Sequence, residues 1–453
     1  MPISFKTAAL AMLLPLSVTC AAQDFLNDER LDGLDLEYVN KVYNKAYVFR
    51  DLTYFHLFAS HEKGWIGGDG VYSTTLPDGN SFWSFGDSFF GVAQEFRNSG
   101  RGTNLPRNAA MVQTGERSWR DFYVLNEVCS TDPNDRDLYM KGKTWLRHPN
   151  TAFTDEQINN GATENDRFYW PGDATVIKRD GKPVLQVLWG SIHGNMERDE
   201  TTLTEYSLDG QPGDPGYMKL TALHQNVVPY STGYGSGLLE DQDGHTYLYG
   251  SVSTGFIGSW LIVARTETHD LTSKWTYYIQ DENGNWNWQE QIPTEDEMRR
   301  SQISSKEWVT EPSVFKYGDH YYMCTQIMTN SPVYIMRADH PWGPFTEQKK
   351  LYDVPSTHND TYNCFVHPQL SRMGELVISY NMNPADATTI SVGEDGKAVE
   401  NVQNGFWRNF NAWGSSDLYQ PHFIRVFNWQ KLYGETYDGP LKDNGIEVYN
   451  TME

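Results

Sequence analysis

Short hydrophobic runs separated by tight polar turns recur along most of this chain. The first complete example has two strand-like runs, Val71–Leu76 and Ser81–Phe85, on either side of the turn sequence Pro-Asp-Gly-Asn. Two β-rich runs around such a turn predict a β-hairpin. An acid stands at each end of this hairpin, Asp69 before the first run and Asp87 after the second.

The same unit returns four more times, at intervals of roughly 55–105 residues. The residues at the predicted start of each first strand are Asp69, Asp173, Ser236, Glu311 and His367. Repeated meanders of this kind predict an all-β fold, a β-propeller, and five units predict five blades. A β-sandwich is the alternative, but it does not explain why the turn-centred unit repeats.

The sequence predicts little helix. Leu31–Val48 has apolar residues at helical spacing, and Thr294–Arg300 predicts one short helix after a threonine cap. We divide the chain into a signal peptide at residues 1–22, a lead-in at 23–54 and a five-bladed propeller domain at 55–453.

The first 22 residues have the features of a secretory signal peptide. Lys6 supplies positive charge, and Ala8–Val18 is an apolar stretch too short to span a bilayer as a helix. We therefore expect an exported protein, either periplasmic or secreted. The alternative is an outer-membrane lipoprotein anchored through Cys20. No later stretch of the sequence predicts a membrane span.

Composition narrows the choice of partner. The formal net charge is −23, and no cluster of Lys or Arg is present, which argues against nucleic acid and against an anionic membrane surface. Aromatic residues make up 14% of the chain, which suits β-structure and also suits stacking on sugar rings. A neutral polysaccharide or oligosaccharide is the partner that fits.

Three of the five strand starts carry acids. The innermost strand of each propeller blade begins near the mouth of the central channel, so Asp69, Asp173 and Glu311 are expected to converge there. Crowded carboxylates raise one another's pKa. Glycoside hydrolysis uses such a pair, because one carboxyl protonates the leaving oxygen and the other activates water or attacks directly. The alternative role for each acid is to close a turn beside Gly or Pro.

Other side chains near these positions are candidates for contact with a sugar. They are Asp87, Arg107, Asn108, Trp170, Tyr234, His367 and Gln420, with Tyr419 as a weaker candidate. The alternative roles are capping the end of a strand for Asp87, wall packing for Tyr234 and Tyr419, a hydrogen-bonded rim histidine for His367, and an outward-facing strand position for Gln420. His367 is also a candidate to hold a cation in the central channel through water.

No cofactor is required for this chemistry, although a structural calcium or another cation in the central channel is compatible with it. We predict no metal site of protein ligands alone. The stretch Asp241-Gln242-Asp243-Gly244 has the spacing of the start of a calcium loop, but it falls in a hairpin turn and lacks the distal glutamate. Three widely spaced cysteines, Cys129, Cys324 and Cys364, predict neither a disulfide framework nor a zinc site.

Several stretches resemble known families. TEPSVFKYGDHYYMCTQ, residues 310–326, resembles the Glu-Pro strand of five-bladed glycoside hydrolases such as the family 43 arabinanases and xylosidases. WIGGDGVYSTTLPDGNSFWSFGDSFFG, residues 65–91, resembles the opening hairpin of the domain-of-unknown-function 4185 group and its relative 5005. YGSGLLEDQDGHTYLYG, MRADHPWGPF and YQPHFIRV fit the same group. Members of the 4185 group are assigned as endo-D-arabinanases of glycoside hydrolase family 183.

The resemblance implies an exported glycoside hydrolase that acts on a furanose-containing polysaccharide such as D-arabinan. It makes Asp69 the general base or nucleophile, Glu311 the general acid, and Asp173 the acid that tunes and orients its partner. In family 43 the acidic glutamate usually belongs to the third blade, whereas Glu311 falls in the fourth unit of this sequence. A non-catalytic carbohydrate-binding propeller at the cell surface is the alternative function, and a lyase-like or scaffold propeller is a weaker third.

Overall fold

The computed structural model describes the propeller and the segment that leads into it. The described residues are 46–94, 102–114, 122–194, 196–229, 233–255, 258–305, 311–326, 331–354, 359–371, 375–384, 387–392, 398–403, 419–435 and 449–452. The predicted signal peptide, Cys20 and most of the predicted helix at Leu31–Val48 lie outside these ranges. Val48, the last residue of that stretch, lies in a strand.

Nearly all regular structure in the described ranges is β-strand. The strands, in chain order, are β1 (Tyr47–Arg50), β2 (Lys63–Gly68), β3 (Tyr72–Thr75), β4 (Ser81–Phe85), β5 (Ser88–Val92), β6 (Thr103–Asn104), β7 (Ala109–Gln113), β8 (Phe122–Val124), β9 (Arg167–Arg179), β10 (Lys182–His193), β11 (Glu197–Ser207), β12 (Lys219–Val228), β13 (Gly237–Glu240), β14 (Thr246–Gly255), β15 (Gly258–Thr266), β16 (Trp275–Gln280), β17 (Trp286–Gln289), β18 (Ser313–Tyr317), β19 (His320–Gln326), β20 (Val333–Ala338), β21 (Thr346–Tyr352), β22 (Asn359–Val366), β23 (Glu375–Pro384), β24 (Ala387–Val392), β25 (Ala398–Gln403) and β26 (His422–Phe427). The helices are α1 (Leu52–Ala59), α2 (Asp155–Asn159) and α3 (Glu295–Arg300), with short 3₁₀ turns at Pro368–Leu370 and Trp429–Tyr433.

Five antiparallel sheets, which we call blades 1 to 5, follow one another along the chain. Their strand orders are β3-β4-β7-β8, β9-β10-β11-β12, β13-β14-β15-β16-β17, β18-β19-β20-β21 and β22-β23-β26-β1. The first strand of each blade lies at one sheet edge and contacts the first strand of the next blade. Tyr72 of β3 packs on Phe365 of β22 with ring centroids 4.4 Å apart, which returns the series to its start. The predicted all-β propeller is confirmed.

The local predictions that rest on turns and caps agree with the structure. β4 has the bounds read from the sequence, and β3 begins one residue after Val71. The predicted short helix is α3. The Thr294 side chain accepts a hydrogen bond from the Glu297 N–H, and the Glu297 carboxylate accepts one from the Thr294 N–H. This reciprocal capping satisfies two backbone donors that the first helical turn leaves without partners.

The fifth repeat differs from the prediction in its register. The sequence pattern places His367 at the start of an inner strand, but β22 ends at Val366 and His367 follows it. Tyr362 contacts Asp69 at one end of β3 and His367 contacts Ser73 further along, so β22 and β3 run side by side in the same direction. His367 therefore lies towards the opposite end of the channel from Asp69.

The segment before the predicted domain boundary at residue 55 is part of the propeller. β1 pairs antiparallel with β26 and forms the outermost strand of blade 5, and the boundary itself falls inside α1. The strand that closes the last blade thus comes from the N-terminal side of the chain. Radial repetition of blades closed in this way leaves only short strand edges.

A buried ion triad fixes this closure. The Arg425 guanidinium of β26 donates from Nε to Asp51 Oδ2 at 2.6 Å and from its NH1 nitrogen to Glu375 Oε1 at 2.8 Å. All three side chains are at most 1% exposed. Each charge is out of water, so each depends on the other two for its stabilisation.

We predict that Arg425→Met lowers the free energy of unfolding by about 3–5 kcal/mol, because it leaves two carboxylates buried without their cation. Arg337→Met is the matched control. Arg337 also joins two carboxylates, Glu347 and Glu435, but its side chain is 21% exposed, so we expect a loss below about 1 kcal/mol. Chemical denaturation near neutral pH measures both, and equal losses would contradict the importance of the triad.

Candidate functional site

A pocket of about 210 Å³ lies at the end of the ring where the first strands of blades 1 and 4 begin. It brings together Asp69 and Glu311, two of the three predicted acids, and the predicted aromatic contact Trp170. The pocket is lined by Asp69, Gly70, Tyr72, Gly86, Trp170, Pro171, Arg198, Glu311, Tyr362, Asn363 and Phe365.

The turn between β2 and β3 holds Asp69. Its backbone N–H donates to the Asp87 carbonyl at 3.2 Å, and its carbonyl accepts from the Gly86 N–H at 2.7 Å. A Cβ atom on Gly86 would lie only 2.8 Å from Asp69 Oδ1, so a glycine is required for the carboxyl to sit where it does. The Tyr362 hydroxyl donates to Asp69 Oδ2 at 2.7 Å, and the Tyr419 hydroxyl also hydrogen-bonds this carboxyl.

Burial sets the protonation of Asp69. Loss of water, together with the negative charge of Asp87, raises the pKa of Asp69 to about 7 against the opposing hydrogen bonds from Tyr362 and Tyr419. A carboxyl with a pKa of about 7 can exchange a proton with substrate near neutral pH.

Asp87 positions its neighbours. It accepts hydrogen bonds from the Trp170 Nε1–H at 3.0 Å and from the Arg107 guanidinium at 3.1 Å. Burial raises the pKa of Asp87, while Arg107 and Trp170 act in the opposite direction. Arg107 is itself held by the Glu164 carbonyl at 2.6 Å and lies over the Phe168 ring at 4.5 Å. The predicted sugar contacts Asp87 and Arg107 therefore support the Trp170 ring, which faces the pocket.

Glu311 enters the pocket from the residue pair that precedes β18, in blade 4 as the repeat count predicts. The Tyr72 hydroxyl donates to Glu311 Oε2 at 3.0 Å. Tyr72 is 6% exposed, and its ring is fixed against Phe365. Glu311 is thus held by a hydroxyl that belongs to blade 1.

Asp173 does not line this pocket. Its Oδ2 accepts from the Leu238 N–H at 2.8 Å and its Oδ1 from the Ala174 N–H at 2.9 Å, which joins the first strands of blades 2 and 3. It lines a second cavity of about 90 Å³ with Glu240 and Gln369, further along the channel. Burial, together with the charge of Glu240, raises the pKa of Asp173 to about 7 against the two backbone hydrogen bonds.

Two further pocket residues have no counterpart in the sequence prediction. Arg198 reaches the pocket from β11, across a gap left by Gly190, where a Cβ atom would lie 2.5 Å from Arg198 Nε. Tyr362 reaches Asp69 from β22, whose pairing with β23 shifts register between Tyr362 and Cys364. The intervening Asn363 has φ of 48°, a left-handed conformation. Such bulges re-aim side chains beside functional sites.

Four predicted contacts prove to be structural, and we correct them here. Asn108 is 0% exposed, and its amide bonds the Leu146 and Tyr169 carbonyls. Tyr234 packs edge-on against Tyr277 in the core between blades. Gln420 is buried and donates to the Ile66 carbonyl.

His367 is the fourth of these contacts. Its Nδ1 lies 2.6 Å from Ser73 Oγ, and its Nε2 lies 2.8 Å from Ser379 Oγ. Burial lowers its pKa to about 3, so it is a neutral histidine that joins blades 1 and 5. The sequence could not distinguish these four from pocket residues, because their partners come from distant segments. The hydroxyl of Ser236, the strand start of the third unit, donates to the Gly233 carbonyl at 2.7 Å.

In the part of the chain that the structure describes, no group of three or more His, Cys, Asp or Glu side chains is arranged to hold a metal ion. A cation in the central channel stays a prediction from the sequence. No described helix has the length and apolar character needed to cross a bilayer.

The raised pKa of Asp69 predicts a stability change with pH. Its ordinary pKa is 3.8 and its folded pKa is about 7, so the folded state binds the extra proton between these values and loses stability as pH rises through them. We expect Asp69→Asn, a neutral isostere, to unfold like wild type near pH 4 and to be about 1–3 kcal/mol more stable near pH 8. Chemical denaturation at both pH values tests this. Asp319→Asn, at an exposed turn, is the control, and a parallel pH response of wild type and Asp69→Asn would contradict the assignment.

Comparison with known proteins places the chain in a family. A crystal structure of a "putative hydrolase" from Bacteroides ovatus ATCC 8483 shares 40% sequence identity, with a TM-score of 0.74 over 87% of this chain and 93% of that one. A GH43_1 enzyme from Xanthomonas citri in complex with xylose shares 13%, with a TM-score of 0.37 over 76% of this chain and 95% of that one. RS223-Beta-xylosidase shares 11%, with a TM-score of 0.39 over 82% and 93%.

None of the curated proteins matches the chain. Residues 51–429 match the family described as Domain of unknown function (DUF5005). The match covers most of the chain and includes strands β2 to β26. The chain therefore belongs to the DUF5005 family.

Proposed function

We propose that this protein is an exported glycoside hydrolase that cleaves a furanose-containing polysaccharide such as D-arabinan. The observation that carries the proposal is the shared pocket of Asp69 and Glu311, two carboxyls from blades 1 and 4, beside the Trp170 ring. Most glycoside hydrolases cleave the glycosidic bond with two carboxyl groups that lie on either side of it. Export rests on the features of residues 1–22, with lipid anchoring through Cys20 as the alternative.

We assign Asp69 as the general base or nucleophile. Its carboxylate is held by the Tyr362 and Tyr419 hydroxyls, which fix its direction without protonating it. A base with a pKa of about 7 is stronger than an ordinary aspartate and is still ionised in a large fraction near neutral pH. This matches the role that the sequence resemblance gives to the residue.

We assign Glu311 as the general acid. Its Oε2 accepts the Tyr72 hydroxyl, which orients the carboxyl. We place the transferable proton on Oε1, from which it passes to the leaving glycosidic oxygen as the bond to the sugar breaks. If Asp69 is the base, it accepts the proton of the attacking water, and the two carboxyls exchange their protonation states in one cycle. If Asp69 instead attacks the sugar carbon, water later hydrolyses the covalent intermediate, its proton returns to Glu311, and both carboxyls end as they began.

The substrate class rests on the pocket and on the resemblance. Trp170 offers an aromatic face to a sugar ring, and its Nε1–H is occupied by Asp87, so the indole is held in place. The net charge of −23 suits a neutral glycan. D-arabinan, and endo action on it, come from the resemblance to the 4185 group.

A carbohydrate-binding propeller without catalysis is the second candidate. One observation favours it, because both carboxyl oxygens of Asp173 are occupied by backbone N–H groups, which keeps the third predicted acid out of the pocket. Trp170 and Arg198 would then bind a glycan that is not cleaved.

A product screen separates the two candidates. We expect the purified mature chain to release new reducing ends from D-arabinan within a panel of neutral polysaccharides, and Glu311→Gln and Asp69→Asn to be at least about 100-fold slower. Glu347→Gln changes a surface glutamate that is 49% exposed and is the control, with full activity expected. Saturable binding without product would favour the second candidate, and neither binding nor product across the panel would contradict both.

The pKa of Asp69 predicts the acid limb of the pH profile. As the base, Asp69 must be ionised, so kcat/KM should rise with pH through about 7. Asp87→Asn removes the anion that raises this pKa, so we expect the limb to move to lower pH by about 0.5–1 unit. Steady-state rates across pH measure this. A rate that falls through the same range would show that Asp69 acts in its protonated form and would reverse the two roles.

A further inference from the structure

We propose that Tyr72 positions Glu311 and transmits the charge state of Asp173 to it. This inference rests on the proposed function for its kinetic test, but its spectroscopic test stands alone. Through Tyr72, Asp173 influences Glu311 although Asp173 does not line the pocket. The sequence did not identify Tyr72 as a candidate residue.

The tyrosine is held rigidly. Tyr72 opens β3, pairs with Ser84 on β4, and packs its ring on Phe365 with an interplanar angle of 56°. Its side chain is buried, and its hydroxyl donates to Glu311 Oε2 at 3.0 Å. A fixed donor on one carboxyl oxygen selects a single direction for the other oxygen, which is what a proton donor to a glycosidic bond needs.

The same ring divides the channel into two compartments. Tyr72 and Phe365 line both the pocket that contains Asp69 and Glu311 and the smaller cavity that contains Asp173 and Glu240. Tyr72 therefore lies between the two sets of acids, and its hydroxyl is hydrogen-bonded to Glu311. Asp173 is anchored to the backbone of Ala174 and Leu238 and acts from its own side of that boundary.

Three charged groups face the hydroxyl. Burial raises the pKa of Tyr72 well above its usual value, Glu311 and Asp173 raise it further, and Arg198 lowers it. Tyr72 is therefore a neutral donor at every working pH. An ionised Asp173 makes it a weaker donor to Glu311, because negative charge on the tyrosine oxygen is then disfavoured, whereas a protonated Asp173 makes it a stronger one.

This arrangement predicts a kinetic signature. We expect Tyr72→Phe to lower kcat about 10- to 100-fold with KM unchanged, because the acid loses its orientation while sugar contacts remain. Tyr322→Phe is the matched control, since the Tyr322 hydroxyl donates to Glu435 Oε1 at 2.6 Å in blade 4. It removes the same kind of hydrogen bond, and we expect no change in rate.

The coupling is tested by a double-mutant cycle on kcat near pH 8. Asp173→Asn should change kcat in the wild-type background, because a neutral residue at 173 makes Tyr72 a stronger donor to Glu311. In the Tyr72→Phe background the same substitution should leave kcat unchanged. A change of equal size in both backgrounds would show that Asp173 acts through space alone and would overturn the proposal.

A second measurement needs neither activity nor removal of the hydroxyl. Fluorotyrosine placed at position 72 in the Asp69→Asn protein reports its surroundings by fluorine NMR between about pH 5 and pH 9. We expect the fluorine resonance to change position with pH near the Asp173 pKa of about 7. Asp173→Asn should abolish this pH-dependent change. Adding Glu311→Gln should also shift the resonance. A resonance that is unchanged by both Asp173→Asn and Glu311→Gln overturns the proposal, even in a protein that cleaves D-arabinan. The expected titration in a protein that cleaves no glycan would support the coupling and contradict only the proposed function.

Discussion

Closure of the ring of first strands is the constraint on which the rest of the structure depends. β1, from the N-terminal side of the described chain, pairs with β26 in the last blade, and Arg425 is buried there between Asp51 and Glu375. Once the ring is closed, the starts of strands far apart in sequence come together at one end of the channel. The pocket of Asp69, Glu311 and Tyr362 is a product of that closure, since none of its pairs is local in the chain.

The buried charges of the molecule fall into two kinds. Arg425 has a carboxylate on each side, so its charge and theirs are compensated within the protein. Asp69 relies on hydroxyl donors, and Asp173 relies on backbone N–H groups. Burial raises the pKa of both acids to about 7. Ionised acids held in this way cost stability, which is expected where a fold keeps groups for proton transfer.

The sequence predicts what depends on local pattern. The hairpin before Asp87 and the helix capped by Thr294 could be placed because turns and caps are chosen by adjacent residues. Asp69, Trp170 and Glu311 could be placed in one pocket because each stands in the first strand of a blade or just before it, and the repeat sets where those strands meet.

The errors have physical causes of a different kind. The flanking pattern of His367 matches the other units and predicts a strand start, but the strand precedes His367 and a proline follows it. Asp173 stands where predicted, yet its carboxyl turns to the neighbouring strand. The position of Arg198 in the pocket depends on the space beside Gly190, and the position of Tyr362 depends on a bulge at Asn363. A local sequence pattern does not reveal either feature.

The central claim is that a glycosidic bond is held between Asp69 and Glu311. The most direct test is a crystal structure of the Glu311→Gln protein with a bound arabinofuranose oligosaccharide. The account predicts one sugar ring in the pocket against Trp170, with the glycosidic oxygen within hydrogen-bond distance of the side chain at 311 and the anomeric carbon facing Asp69. An oligosaccharide bound elsewhere on the propeller, with only water in the pocket, would contradict the assignment of Asp69 and Glu311.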